Sequence, residues 1–255
     1  MIKAERQSRI KKLLETNGTV SVKEVSDFLG VSDMTVRRDL EELSAAGVLE
    51  RVHGGARRVA DAVAPMLPRE YSNNEKRSRN TRAKRSIAER AVELIKEHDT
   101  VFLGPGTTVE QMALLMPAEP LRVVTNSLSV FNMLEAREDF DLCLVGGIYR
   151  RRTAAFVGPI AEDAVGALGI DVAFIGVNGI YDGSVYTSNM EEGRLQRLVL
   201  DKASRRYLVG DASKFGRRDF YAFYGLDEVT GIISDAAPET LAEAGALDAE
   251  RVVAA

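Results

Sequence analysis

Residues 21–47 read SVKEVSDFLGVSDMTVRRDLEELSAAG, and this stretch decides how the N-terminal part of the chain folds. Ser21 and Glu24 stand in the spacing of a capping box, in which hydroxyl and carboxylate satisfy each other's backbone amides. Val22, Val25, Phe28 and Leu29 then fall on one side of a short helix that Gly30 ends. Val31 fills the turn, Ser32 caps the next helix, and Val36, Leu40 and Leu43 face inward until Gly47. Two short helices joined by so tight a turn predict a helix-turn-helix. Upstream, Ile10, Leu13 and Leu14 share one face of a helix that stops at Asn17-Gly18. Downstream, VLERVHGGARRV (48–59) alternates and turns at Gly54-Gly55, as a two-stranded wing would.

The outer face of the second helix carries the chemistry. With Val36 and Leu40 inside, Thr35, Arg37 and Arg38 point outward near the helix N-terminus, the part that enters the major groove in this motif. An arginine there can bond guanine O6 and N7 bidentately, and the Ser32 and Thr35 hydroxyls can bond phosphates or base edges. On the wing, Arg51, His53, Arg57 and Arg58 would lie along the backbone or minor groove. The competing reading is a small helical domain with a solvated basic face.

VSDMTVRRDLEEL followed by ERVHGGA resembles the winged-helix signature of the DeoR (deoxyribose-operon repressor) family of bacterial regulators. The resemblance implies DNA binding by Ser32, Thr35, Arg37 and Arg38, with the wing assisting.

Composition agrees with a basic head on a larger body. The 255 residues suggest two domains. Net charge is −4, but residues 1–90 hold 19 Lys/Arg against 13 Asp/Glu, and residues 91–255 hold 15 against 25. Such asymmetry is expected where only one end meets a polyanion. A single cysteine, Cys143, excludes an intrachain disulfide and a cysteine zinc finger, and in the apolar run FDLCLVGG it reads as a buried core thiol. Two histidines, His53 and His98, are too few for a multi-histidine metal site, so no metal and no cofactor is expected. No stretch approaches the length of a bilayer span, and no leader-like segment opens the chain. A soluble cytoplasmic protein is the expectation.

Residues 59–81 (VADAVAPMLPREYSNNEKRSRNT) carry two prolines and no steady apolar period, and read as a linker between a head at 1–58 and a domain at 82–255. The following helix starts near Thr81, with Ile87, Ala91, Leu94 and Ile95 inward. Arg82, Lys84 and Arg85 occupy its first turn, where cations oppose the helix dipole and a bound anion would offset them.

Beyond it, continuous apolar strands at 101–104, 121–125, 141–146, 171–176, 206–210 and 231–234 alternate with helical stretches. Strands apolar on both faces predict a mainly parallel sheet covered by helices, so the fold class is α/β. The turns after those strands draw on one polar menu: GPGTT (104–108), Thr125-Asn126-Ser127, Gly146-Gly147, Asn178-Gly179, Asp211-Ala212-Ser213-Lys214 and Asp235. In a parallel sheet these ends share one edge, where ligands bind. Gly104 and Gly106 allow close approach of backbone, Thr107 and Thr108 open a helix whose amides attract an anion, Asn126 and Ser127 open another, and Lys214 adds charge. The set suits a phosphorylated sugar or polyol.

The resemblance continues through GTT, TNS, VGG, AKRSIA and DASKFG, which are similar to the DeoR-family effector domain. That domain has the fold shared with ribose-phosphate isomerases and CoA transferases. It implies a phosphorylated sugar effector contacted by Lys84, Thr107, Thr108, Asn126, Ser127, Gly147, Glu192, Asp211 and Lys214. The family commonly has an acidic residue where this chain has Gly104, and often a lysine in place of Gln196. Arg150 and Arg152, in a triplet after the Gly-Gly turn, read either as a solvated loop or as partners for a second anionic group. The expected partners are double-stranded operator DNA and the sugar phosphate, with no membrane, for a repressor acting as a homodimer or homotetramer. The rival is an isomerase- or deaminase-like enzyme fused to a DNA-binding module, using Glu191, Glu192, Asp211 and Lys214 as acid, base and electrostatic groups.

Arg38→Ala is expected to lose discrimination among operator sequences, whereas Arg57→Ala weakens binding uniformly and flattens its salt dependence. Binding titrations on operator variants at several salt concentrations check both; unchanged operator preference in Arg38→Ala removes that residue from base readout.

Overall fold

The computed structural model describes residues 3–17, 19–45, 48–52, 54–58, 70–243 and 252–254. Chain contacts divide it into two compact units, residues 1–65 and 66–255.

In the first unit, α1 (Lys3–Asn17), β1 (Thr19–Ser21), α2 (Val22–Leu29), α3 (Asp33–Ala45), β2 (Leu49–Val52) and β3 (Gly55–Arg58) follow in order. The capping box at α2 is present: the Glu24 amide donates to Ser21 Oγ at 3.1 Å, and the Ser21 amide to Glu24 Oε2 at 2.8 Å. Ile10, Leu14, Val22, Val25, Val36, Leu40 and Leu43 close one core with Val20, Leu49 and Ala56. Phe28 does not join it and is 58% exposed. The wing has three strands instead of two, in the order β1-β3-β2, because Thr19–Ser21 pairs antiparallel with Gly55–Arg57. Three residues carry too little periodicity to announce that strand. A part-buried ion pair also ties α1 to α3: Arg6 Nε and Nη2 donate to the two oxygens of the buried Asp39 at 2.7 and 3.1 Å.

The second unit opens with α4 (Asn73–Arg77) and α5 (Thr81–Val92). Of the stretch read as a linker, 59–69 lies outside the described residues, whereas 70–81 is built into this unit. Ser72 and Glu75 form a second capping box, and the buried Asn73 side chain donates to the Thr153 carbonyl at 2.8 Å. Next come β4 (Thr100–Leu103), α6 (Thr107–Leu115), β5 (Leu121–Thr125), α7 (Leu128–Leu134), β6 (Phe140–Leu144), β7 (Ile148–Arg150), β8 (Ala155–Val157) and α8 (Pro159–Gly166). They are followed by β9 (Ile170–Gly176), β10 (Gly179–Tyr181), β11 (Ser184–Thr187), α9 (Met190–Lys202), β12 (Ala203–Val209), β13 (Tyr221–Gly225), β14 (Gly231–Ser234), α10 (Pro238–Glu243) and β15 (Val252–Ala254).

Seven strands form one sheet in the order β15-β14-β12-β9-β4-β5-β6, each pair parallel. Alternate residues supply the two faces. Val101, Leu103, Val172, Phe174, Tyr207 and Val209 meet α5, α6 and α7 on one side, with Phe174 stacked on Tyr207 at 5.5 Å. Phe102, Ala173, Ile175 and Leu208 meet α8 and α9 on the other. Two small antiparallel additions carry no such run of apolar residues: the β7–β8 hairpin and the sheet β10-β11-β13. The β10–β11 turn is Asp182-Gly183, with φ of 48° and 68°, the left-handed pair that tight hairpins need. Cys143 lies on the edge strand β6 and is half-buried, not fully enclosed. Among the described residues, no helix is long and apolar enough to cross a membrane.

Gly55 sits where an added Cβ would come within 2.1 Å of the Val20 carbonyl oxygen. Gly55→Ala must therefore push β1 away from β3, and is expected to cost about 1–3 kcal/mol. Denaturant unfolding monitored in the head checks this.

Candidate functional site

Recognition-helix residues lie as their spacing requires. Arg37 and Arg38 are exposed on α3, and Arg38 reaches Glu42 only at 4.0 Å with 84% of its side chain in solvent. The Ser32 and Thr35 hydroxyls are 2.9 Å apart, and Ser32 Oγ accepts from the Thr35 amide at 3.3 Å, a cap on α3. Arg51 is half-buried on β2. His53 lies outside the described residues, as do the side chains of Arg57 and Arg58.

At the carboxyl edge of the parallel sheet, beyond β4, β9 and β12, is a cavity of about 390 Å³. Register brings the strand ends together: Leu103 pairs with Phe174, and Gly176 with Val209. Of the residues expected at an effector site, Lys84, Gly106, Thr107, Thr108, Asn178, Glu192, Asp211 and Lys214 line it. Gly106 stands at the N-cap of α6 with φ of 137°, and no side chain caps the helix. The first amides of α6 are thus left for a ligand.

Three lysines converge here. Lys84 comes from the buried face of α5, whereas Arg82 and Arg85 of the same turn are exposed and Arg85 pairs with Glu89 at 2.9 Å. Lys76 comes from α4 and donates to Asn178 Oδ1 at 3.0 Å. Lys214 follows β12 and lies 3.8 Å from Asp211 Oδ2. Burial holds all three ammonium groups below their ordinary pKa; the charge of Lys214 depresses Lys76 and Lys84 further, and Arg217 and Arg79 depress Lys214. A bound anion would relieve each of these costs.

Acidic groups complete the wall. Burial pushes the Glu192 carboxyl up, against the Thr153 hydrogen bond and the charge of Arg150. Burial also pushes Asp211 upward, but hydrogen bonds from Ser213 and Asn80 and the charge of Lys214 together leave it below the ordinary carboxylate value. Asn80 Nδ2 donates to Asp211 Oδ1 at 2.9 Å. A relay of bonds fixes the far side: Asn178 Nδ2 to Ser188 Oγ at 2.8 Å, and Ser188 to Asp219 at 2.6 Å.

Five expected contacts lie elsewhere. Asn126 is buried and donates to the Phe156 carbonyl at 2.9 Å, while Ser127 Oγ caps α7 by accepting from the Val130 amide at 3.3 Å. Gly147 packs against the backbone at Val157. Arg150 is clamped by both Glu70 oxygens, at 2.6 and 2.5 Å, and also donates to Glu192 at 3.1 Å. Arg152 lies 3.6 Å from Glu70 Oε2. These carboxylates already neutralise the arginines that the sequence offered to a second anion.

Sequence reading missed Glu70, Tyr71, Asn73, Asn80, Arg217 and Asp219, all of which line the cavity; Lys76 and Arg79, noted only as part of a basic segment, and Gln196, noted only as a departure from the family, line it too. The Ser72–Glu75 spacing repeats that of Ser21–Glu24 and is the signal that marks 72–77 as structured. Among the described residues no histidine lines the cavity, and no group of His, Cys, Asp and Glu could hold a metal ion.

A winged helix with an exposed cationic recognition helix, joined to an α/β body with an anion-adapted cavity, defines a DNA-binding regulator that carries its own sensor. Residues 6–61 match the DeoR-like helix-turn-helix domain and residues 79–236 the DeoR C-terminal sensor domain; the chain belongs to the DeoR family. It is 43% identical over 237 residues to the lactose phosphotransferase system repressor of Streptococcus mutans, covering 92% of this chain and 93% of that one. It is 42% identical over 238 residues to the protein of the same name from Lactococcus lactis, covering 92% of each. Among solved structures, ribose 5-phosphate isomerase A of Methanocaldococcus jannaschii is similar at a TM-score of 0.38, with 16% identity over 53% of this chain and 54% of that one.

The lysine shifts make opposite predictions for stability and for anion binding. A lysine whose pKa is depressed by folding binds its proton less tightly than in the unfolded chain, so the empty protein gains stability as pH rises toward the ordinary value of 10.5. A phosphate favours the charged lysines, so the thermal shift it produces shrinks across the same range. Melting curves with and without inorganic phosphate, from neutrality upward, check both signs.

Proposed function

We propose that this chain represses a carbohydrate-catabolism operon and leaves its operator when a phosphorylated sugar or polyol fills the cavity. The observation that carries the reading is the uncapped N-terminus of α6 opening among three lysines, Lys84 buried and Lys76 and Lys214 half-buried, with amide, hydroxyl and carboxylate groups around the remaining wall. A cavity of about 390 Å³ is in the range of small-molecule sites. The relatives are named as repressors of a sugar phosphotransferase system, which supports a phosphorylated sugar as the effector.

In this reading residues 1–58 bind DNA, with Ser32, Thr35, Arg37 and Arg38 in the major groove and Arg51, His53 and Arg57 along the wing. Residues 59–81 connect, their last part also walling the cavity, and 82–255 sense the effector and assemble the oligomer. Lys84, Gly106, Thr107, Thr108, Asn178, Glu192, Asp211 and Lys214 are the effector contacts. The chain acts in the cytoplasm as a homodimer or homotetramer, its heads gripping half-sites that mirror its symmetry. On this reading the chain is a regulator and not an enzyme, and the engagement of Glu192, whose carboxyl burial raises, by Arg150 and Thr153 supports that. Effector binding lowers operator affinity only if the two arrangements of heads bind it unequally, and about 1.4 kcal/mol of coupling gives a tenfold change.

Titration of the chain on DNA from upstream of the genes beside its own, with a phosphosugar panel, tests this. One sugar phosphate should release the DNA and emerge unchanged. Thr107→Ala and Lys214→Ala should keep DNA binding and lose the response. Turnover of the sugar phosphate without an effect on DNA supports the enzyme instead.

A further inference from the structure

Gln196 lies one turn beyond Glu192 on α9, so both side chains share the face that lines the cavity. Their situations differ. Glu192 is engaged by Arg150 and Thr153. Gln196 is only 6% exposed, and its buried amide oxygen has no hydrogen-bond partner. Asp211, on the same cavity and 1% exposed, likewise leaves Oδ2 without a hydrogen bond, its nearest cation being Lys214 at 3.8 Å. Burying an unpaired acceptor is costly, and an apolar side chain of the same length would avoid that cost. Both atoms are acceptors on a wall that also presents a carboxylate. A hydrogen-bond donor would satisfy them, and a second phosphate would not.

We propose that Gln196 is a specificity-determining residue, whose amide oxygen accepts a hydrogen bond from a hydroxyl of the bound sugar phosphate. The inference rests on the effector reading above and deepens it. Helix α6 belongs to the layer on one face of the sheet and α9 to the layer on the other, so the cavity at the strand ends lies between them. A ligand with its phosphate at the α6 N-terminus therefore turns its hydroxyl-bearing carbons toward α9. The effector class is narrowed to singly phosphorylated polyhydroxy compounds with a free hydroxyl remote from the phosphate. A site built to pair a hydroxyl rejects an analogue that lacks it far more strongly than a merely apolar pocket would.

The test uses the full-length chain and calorimetric titration with hexose 6-phosphates, pentose 5-phosphates and inorganic phosphate. Gln196→Met should melt no lower than wild type when empty, because it removes the unpaired acceptor, should bind inorganic phosphate equally well, and should bind the best sugar phosphate about 10- to 100-fold more weakly. Monodeoxy analogues of that sugar phosphate then locate the hydroxyl. One of them should lose a similar factor against wild type and bind wild type and Gln196→Met alike. Equal binding of the parent sugar phosphate by both proteins overturns the proposal. So does a wild type indifferent to every single deoxygenation, a measurement that stands even if the variant does not fold. A wild type that binds none of the sugar phosphates overturns the effector reading beneath it.

Discussion

The parallel pairing of β4, β9 and β12 is the constraint on which the functional architecture depends. Parallel strands in register run the same way and finish at one end of the sheet, so whatever follows them must share one rim. Here the rim receives Gly106 and Thr107 from the first strand, Gly176 to Asn178 from the second, and Asp211 to Lys214 from the third. The strands are apolar on both faces and cannot slip by a residue without exchanging the two cores, because Val101 and Leu103 serve one core and Phe102 the other. Hydrophobic alternation thus fixes register, and register assembles a polar site from segments about a hundred residues apart in sequence.

The rim needs more than the sheet. The segment from Glu70 to Asn80, preceding the first strand, walls the same cavity and brings Lys76 to it. Its place is held by local and distant bonds together: the Ser72–Glu75 box shapes a five-residue helix, and Asn73 fastens it to the Thr153 carbonyl. Arg77 reaches the buried Glu110 of α6 at 2.8 Å and secures the opposite side of the same helix. A cluster of like charges is held together because each lysine has a specific acceptor or carboxylate within reach and the wall around it is already fixed.

How far the site could be read in the sequence follows from the same physics. The helix-turn-helix and the long strands announce themselves through periodicity, and their bounds in the structure lie within a few residues of those expected. Thr107-Thr108 and Asn126-Ser127 look alike in sequence, each a polar pair after an apolar strand. Only the first pair lines the cavity. The second is engaged by the β7–β8 hairpin, where the Phe156 amide donates to the Asn126 carbonyl and the Asn126 side chain returns a bond to the Phe156 carbonyl. A local pattern shows that backbone groups are available, but not which distant segment will satisfy them. Arg150 teaches the same lesson for charge: its partner Glu70 stands 80 residues earlier, beyond the reach of any spacing argument. Gln196 was read as a departure from the family, and its consequence became visible only with its burial.

Glu70 and Tyr71 both line the cavity. Glu70 is fastened to Arg150, and Tyr71 lies beneath the Arg79 guanidinium at 4.2 Å. This wall of the cavity is therefore held by an ion pair to Arg150 and by a ring contact within its own segment. A guest that drew Arg79 or Glu192 toward itself would compete with both, because Arg79 covers Tyr71 and Glu192 shares Arg150 with Glu70. Occupancy of the cavity and the seating of its own wall would then be two readings of one equilibrium.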